Sequence, residues 1–186
     1  LRIEGITLRN SLFWTIHLLR CTDVHIRGLS IRCRNKIPNT DGIDPDGCRN
    51  VMISDCSIQT DDDCIVVKST EGDVAENITV ANCVLSSGAS GLKIGTETLG
   101  SIRRITVSNC VIHDSNMGIT VFSKDGGTLE KMTFSGVHMV VRGSFPLLLD
   151  TTPRSPEATL PGPIQDITLR DITVFGSGRC IMEGFD

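Results

Sequence analysis

Val51-Met52-Ile53-Ser54-Asp55-Cys56-Ser57-Ile58 alternates apolar and polar residues, breaks once at Asp55, and alternates again. The same shape runs from Val24 to Ile31, Ile78 to Leu85, Ile105 to Ile112, Met132 to Met139 and Ile167 to Val174. Copies start at 24, 51, 78, 105 and 132, 27 residues apart each time, before a longer step to 167. An earlier copy is expected from Ile6. The break residues are Asn10, Gly28, Asp55, Asn82, Asn109, Gly136 and Asp171. Asn, Asp and Gly tolerate a left-handed backbone, so each copy reads as strand, sharp bend, strand. A third strand is expected in each period, at Trp14–Leu19, Gly42–Asp44, Cys64–Lys68, Gly91–Gly95, Gly118–Phe122 and Phe145–Leu149. Three short strands cannot bury a face alone, but stacked turns bury a continuous core. The expected fold is all-β: a right-handed parallel β-helix of three short strands per turn. Hairpins of an antiparallel sandwich would not keep a 27-residue register.

Composition fits this reading. The chain has 186 residues, 39% hydrophobic and 22% charged, which suits one globular domain over residues 1–186. It opens inside an apparent strand and stops in mid-pattern, so a fragment of a longer helix, truncated at both ends, is expected. Aromatic residues are only 4% with no Tyr, which favours a core of stacked aliphatics over an aromatic-lined groove. The net charge of -4 gives no electrostatic case for nucleic acid. No apolar run reaches the ~18 residues of a membrane span. The residue after each bend is Leu29, Cys56, Cys83, Cys110, Val137 or Ile172. Cysteine that alternates with Leu, Val and Ile behaves as a small hydrophobe, so Cys56, Cys83 and Cys110 are expected as buried free thiols. No Cys-x-x-Cys or clustered His accompanies them, and neither metal nor cofactor is expected. Pro153, Pro156, Pro161 and Pro163 mark Thr151–Pro163 as a loop leaving the coil. His17, His25, His113 and His138 fall in or beside strands and pair with no Ser or Cys in triad fashion.

Two acidic stretches stand out: Asn39-Thr40-Asp41-Gly42-Ile43-Asp44 and Thr60-Asp61-Asp62-Asp63-Cys64. Aligning the third strands by their first small residue puts Asp41, Asp63, Ser90 and Met117 in one column. Neighbouring turns lie ~4.8 Å apart, so Asp41 and Asp63 are expected to face each other with Asp62 beside them. Carboxylates so close raise at least one pKa, which is what paired acid/base chemistry needs. A Ca²⁺ site and a merely solvated acidic edge are the other readings of such a cluster.

The motif Asn39-Thr40-Asp41-Gly42-Ile43-Asp44-Pro45 followed by Asp62-Asp63-Cys64 resembles glycoside hydrolase family 28, the polygalacturonases and their relatives. The 21-residue step from Asp41 to Asp62 suits that family, whose fold is a right-handed β-helix. The resemblance implies Asp62 as general acid on the glycosidic oxygen, with Asp41 and Asp63 activating the hydrolytic water and the anomeric configuration inverted. Inverting pairs stand ~6.5–9.5 Å apart, wider than simple stacking gives. One arrangement that reconciles the two turns Asp62 away from the Asp41–Asp63 column. The family's Gly-His-Gly is Gly88-Ala89-Ser90-Gly91 here, and its Arg-Ile-Lys is replaced within Gly118-Ile119-Thr120-Val121-Phe122. Asn39, Lys68, Lys93, Glu97 and Phe122 are the candidate substrate-binding residues. Lys93 lies in the column of the missing Arg one turn earlier, and Phe122 offers a ring for stacking. Gly91–Glu97 with Ser123–Gly127 resembles the bacterial and rhamnogalacturonan-directed branches. Ser86 and Ser87 stand where the family often has a partner for the Cys of Asp-Asp-Cys, so Cys64 is expected unbridged. The resemblance implies a pectin-type polysaccharide substrate and a monomer that is secreted or periplasmic. A pectate-lyase-like enzyme and a glycan-binding β-helix without catalysis are the competing readings.

Overall fold

A computed structural model describes residues 1–34, 36–155 and 157–185. It is a parallel β-helix, and every strand pairing in it is parallel. The first face stacks Arg2–Glu4, Thr22–Arg27, Arg49–Ser54 and Ala75–Ala81. The second stacks Thr7–Arg9, Ser30–Cys33, Ser57–Thr60 and Val84–Ser87. The third stacks Ile16–Leu19, Ile43–Asp46, Ile65–Ser69 and Ser90–Thr98. Two long strands, Ile102–Phe122 and Leu129–Asp150, then run through all three faces. Ile164–Gly176 and Ile181–Glu183 continue the stack. The third-face strands differ from the sequence expectation only at their ends; Gly118–Phe122 and Phe145–Leu149 lie inside the long strands.

The bends are where left-handed backbone was expected. Gly28, Asp55, Asn82, Asn109, Gly136 and Asp171 have φ between 52° and 64°. The first copy needs a correction. Ile3 pairs with Ile26, and the Gly5 amide donates to Arg27 O as the Gly28 amide does to Ser54 O. The first bend is therefore Gly5, and the copy begins at Leu1 rather than Ile6; Asn10 is also left-handed but serves a later corner. That copy is shorter because the step to the next is 23 residues, which hid its phase. A second left-handed column runs through Asp23, Asn50, Asn77, Arg104, Lys131 and Asp166. There Asn50 Nδ2 donates to Asp23 Oδ1 at 2.9 Å and Asn77 Nδ2 to Asn50 Oδ1 at 2.8 Å, so side-chain amides tie successive turns.

The core is a set of columns. Leu29, Cys56, Cys83, Cys110 and Val137 are all buried, with Cys110 paired to Val137 and Val137 to Ile172. All eight cysteines are free thiols, Cys64 included. On the third face Ile43, Ile65, Leu92 and Ile119 form one inward column. Each such aliphatic side chain contributes about 1.5–3 kcal/mol on burial. The segment Thr151–Pro163 leaves the coil as an irregular loop, though Pro156 lies outside the described residues. Its side chain Arg154 returns to the third face, as described below. Among the described residues no helix is long and apolar enough to cross a membrane.

Candidate active site

The outward side chains of the third face are set by register. Ile43 pairs with Ile65, Leu92 with Ile65, and Ser90 with Met117. Asp41, Asp63, Ser90 and Met117 therefore share one column, with the Gly42 amide donating to Asp63 O at 2.9 Å and the Cys64 amide to Ser90 O at 3.0 Å. Gly42 sits where there is no room for a side chain. A Cβ there would meet Cys64 O at 2.4 Å and Ile58 Cγ2 at 2.7 Å. Thr60 and Ser87 hydroxyls both donate to the Asp62 carbonyl, at 2.7 and 2.6 Å, and so fix the acidic turn.

The two neighbouring carboxylates of that turn reach opposite ways along the coil. Asp63 accepts from the Ser90 amide at 2.9 Å and from Lys93 Nζ at 2.7 Å, both in the following turn. Asp62 accepts from the Asn39 amide of the preceding turn at 2.9 Å and from the Asp63 amide at 3.0 Å. Asp41 and Asp63 are buried, whereas Asp62 is half-buried. Burial raises the Asp41 pKa, and the negative charge of Asp63 adds to that; Lys68 opposes it.

Asp44 is a member that sequence reasoning passed over. It belongs to the same motif, is fully buried, and neither carboxyl oxygen has a hydrogen-bond partner. Burial first, then the charge of Asp41, pushes its pKa far above the usual carboxylate range. A carboxyl so placed keeps its proton at neutral pH.

Two lysines balance the acids. Lys68 is buried, with Nζ 3.1 Å from Glu97, 3.6 Å from Asp41 and 3.8 Å from Asp44. Burial alone would lower its pKa, but Glu97, Asp44 and Asp41 together hold it above the ordinary lysine value. Glu97 is lowered: burial would raise it, but Lys68 outweighs burial. Lys93 is paired to Asp63, and the Phe122 ring lies 5.8 Å from Lys93 Nζ and 5.7 Å from Lys124 Nζ. Lys124 is paired to Asp150 at 2.6 Å. Arg154, from the Thr151–Pro163 loop, forks onto Asp125 at 2.8 and 2.9 Å and reaches Glu97 at 3.6 Å. Asp41, Asp62, Asp63, Lys68, Lys93 and Glu97 are thus one charged network, with Phe122 at its edge. The Asn39 side chain is exposed and only its backbone joins the network. Of the four histidines, His17 lies on the third face, with Nε2 3.0 Å from Asp46 Oδ2.

A model of the glycosyl hydrolases family 28 matches residues 1–178. The chain belongs to glycoside hydrolase family 28. It is 44% identical over 69 residues to a probable polygalacturonase of Vitis vinifera, a match covering 37% of this chain and 14% of that protein. It is 45% identical over 69 residues to a probable polygalacturonase of Arabidopsis thaliana, covering 37% and 15%. Among solved structures, the exopolygalacturonase of Thermotoga maritima superposes with a TM-score of 0.75 at 25% identity, over 94% of this chain and 41% of that one. The polygalacturonase of Erwinia carotovora shares the fold, with a TM-score of 0.79 at 19% identity over 100% and 55%. The chain thus spans well under two thirds of these family 28 relatives.

Proposed function

We propose that this family 28 coil cleaves glycosidic bonds in a pectin-type polysaccharide, galacturonan or rhamnogalacturonan, by single displacement with inversion. The observation that carries the proposal is the divergence of Asp62 and Asp63 from one turn, with Asp41 stacked beneath Asp63. Asp62 protonates the glycosidic oxygen, and it is the carboxyl of the three most open to solvent. Asp41 and Asp63 hold and activate water, with Lys93 keeping a cation against Asp63. Proton sharing in the cluster makes its titration a property of the group rather than of one residue. Divergent carboxylates leave room for water between acid and base, as inversion requires. A uronate carboxylate would join ion pairs that Lys68 and Lys93 already make, rather than meet bare ammoniums. The protein acts outside the cytoplasm, where its polymer substrate is.

The Lys93–Asp63 pair also favours a second reading, in which a neutralised cluster binds glycan without cutting it. Proton NMR of fresh digests separates the two. With inversion, the product anomer opposite to that of the scissile bond accumulates first, with no near-UV absorbance from an unsaturated sugar. A retained anomer contradicts single displacement, an unsaturated product indicates a lyase, and no product at all supports binding alone.

A further inference from the structure

One turn before Asp41 the same column holds Trp14. Ile16 pairs with Ile43, and the Thr15 amide donates to Asp41 O at 2.8 Å. The Phe13 ring stacks on Trp14, with centroids 5.1 Å apart and planes at 23°. The His17 ring meets Trp14 edge-on at 4.8 Å. Lys68 Nζ sits 4.3 Å from the Trp14 ring centroid, and this is the ammonium that also faces Asp41, Asp44 and Glu97. The aromatic pair is therefore joined to the acidic cluster through one shared cation. Phe13 nevertheless remains 56% exposed and Leu12 75% exposed. Trp14 itself is half-buried, so the pair presents the Phe13 ring outward on a partly covered indole.

We propose that Phe13 and Trp14 form a sugar-stacking subsite for the glycan, one coil before the acidic cluster. The occupant is a pyranose ring of the same polysaccharide chain, its C–H face laid on the outer face of Phe13. Three features favour a sugar over a protein partner. Trp14 continues the column of Asp41, and Phe13 stacks on it. The coil spacing of ~4.8 Å is comparable to the length of one pyranose in a chain. A flat ring beside a charged, hydrogen-bonding cluster is the mixture of apolar and polar surface that small-ligand sites use. Lys68 against the indole and the edge of His17 hold Trp14 in place beneath Phe13 before a ligand arrives.

The subsite rests on the hydrolase reading for its place beside the scissile bond, but its test does not need catalysis. Trp14 is the only tryptophan among the 186 residues, so its emission reports this position alone. The Asp62→Asn chain is titrated with trigalacturonate and, separately, with a rhamnogalacturonan tetrasaccharide. A saturable change of emission with either sugar is expected. Phe13→Ala should weaken that binding about two- to tenfold. In the active protein the same substitution raises KM on polymer by a similar factor and leaves kcat unchanged. Because Phe13 is exposed, its loss does not depend on refolding the core. Emission that stays flat at every sugar concentration overturns the subsite, even if hydrolysis is observed. Equal affinity of Phe13→Ala and its parent overturns the stacking role. A saturable change without any hydrolysis supports the subsite while removing the catalytic reading.

Discussion

Asp44 is the residue whose state is set most completely by its surroundings. It has no hydrogen-bond partner and no exposure, and burial together with Asp41 holds its proton in place. Its folded pKa lies above the unfolded value of about 3.9. The stability it contributes is therefore full below pH 4 and is lost as pH rises toward the folded pKa. Asp41 is shifted the same way and acts in the same direction. We expect the melting temperature to fall as pH is raised from 4 to 8. Asp44→Asn, which carries no proton to lose, should flatten that slope and stabilise the protein at pH 8 by on the order of 1 kcal/mol or more. Calorimetric melts of both proteins across that range check it; parallel slopes would mean that Asp44 ionises freely. Lys68, whose pKa is raised, stays charged throughout this window and adds nothing to the slope.

At the scale of the strand and its bend, the turn from Asp41 to Ile43 allows no extra atom. Gly42→Ala sets a methyl against Cys64 O and Ile58, and it should cost about 1–3 kcal/mol while displacing Asp41 from Asp63. Urea melts measure the cost, and a variant as stable and active as its parent would refute the tight approach. The repeat itself was legible in the sequence because a coil enforces one period on every face. Cys56, Cys83 and Cys110 could be placed inward by their alternation with Leu29 and Val137. The first copy was misplaced because one short turn of 23 residues breaks that period. The column Asp23, Asn50, Asn77 was missed because it stabilises a bend through side-chain amides, which leave no apolar pattern. Asp41, Asp62 and Asp63 were legible as a cluster through column arithmetic. The same arithmetic, carried one coil back from Asp41, leads to Trp14; low aromatic content drew attention away from it. The burial of Asp44 and Lys68 was not legible, since it depends on how outward side chains cover one another rather than on register.

Across the whole molecule the third face forms a band along the coil axis. It begins with the rings of Phe13 and Trp14, passes the acids at Asp41 to Asp63, and continues to Lys93 and Phe122. The Thr151–Pro163 loop closes the network on one side by lending Arg154 to Asp125 and Glu97. From Arg154 through Glu97 and Lys68 to Asp41, opposite charges alternate without a break. Such a chain sets cations beside the acids and fixes a polar environment before substrate enters. The Gly-His-Gly histidine and the Arg-Ile-Lys cations are absent from this chain, and Lys68 and Lys93 beside the acids are already paired within the protein. Whether this band cleaves a polymer with Asp62 as acid is read from the release of reducing ends from polygalacturonan and rhamnogalacturonan. Release by the parent protein is expected on one of these polymers, with a loss of about 10²–10⁴-fold in Asp62→Asn. Equal release by parent and variant, or none by the parent on either polymer, would contradict it.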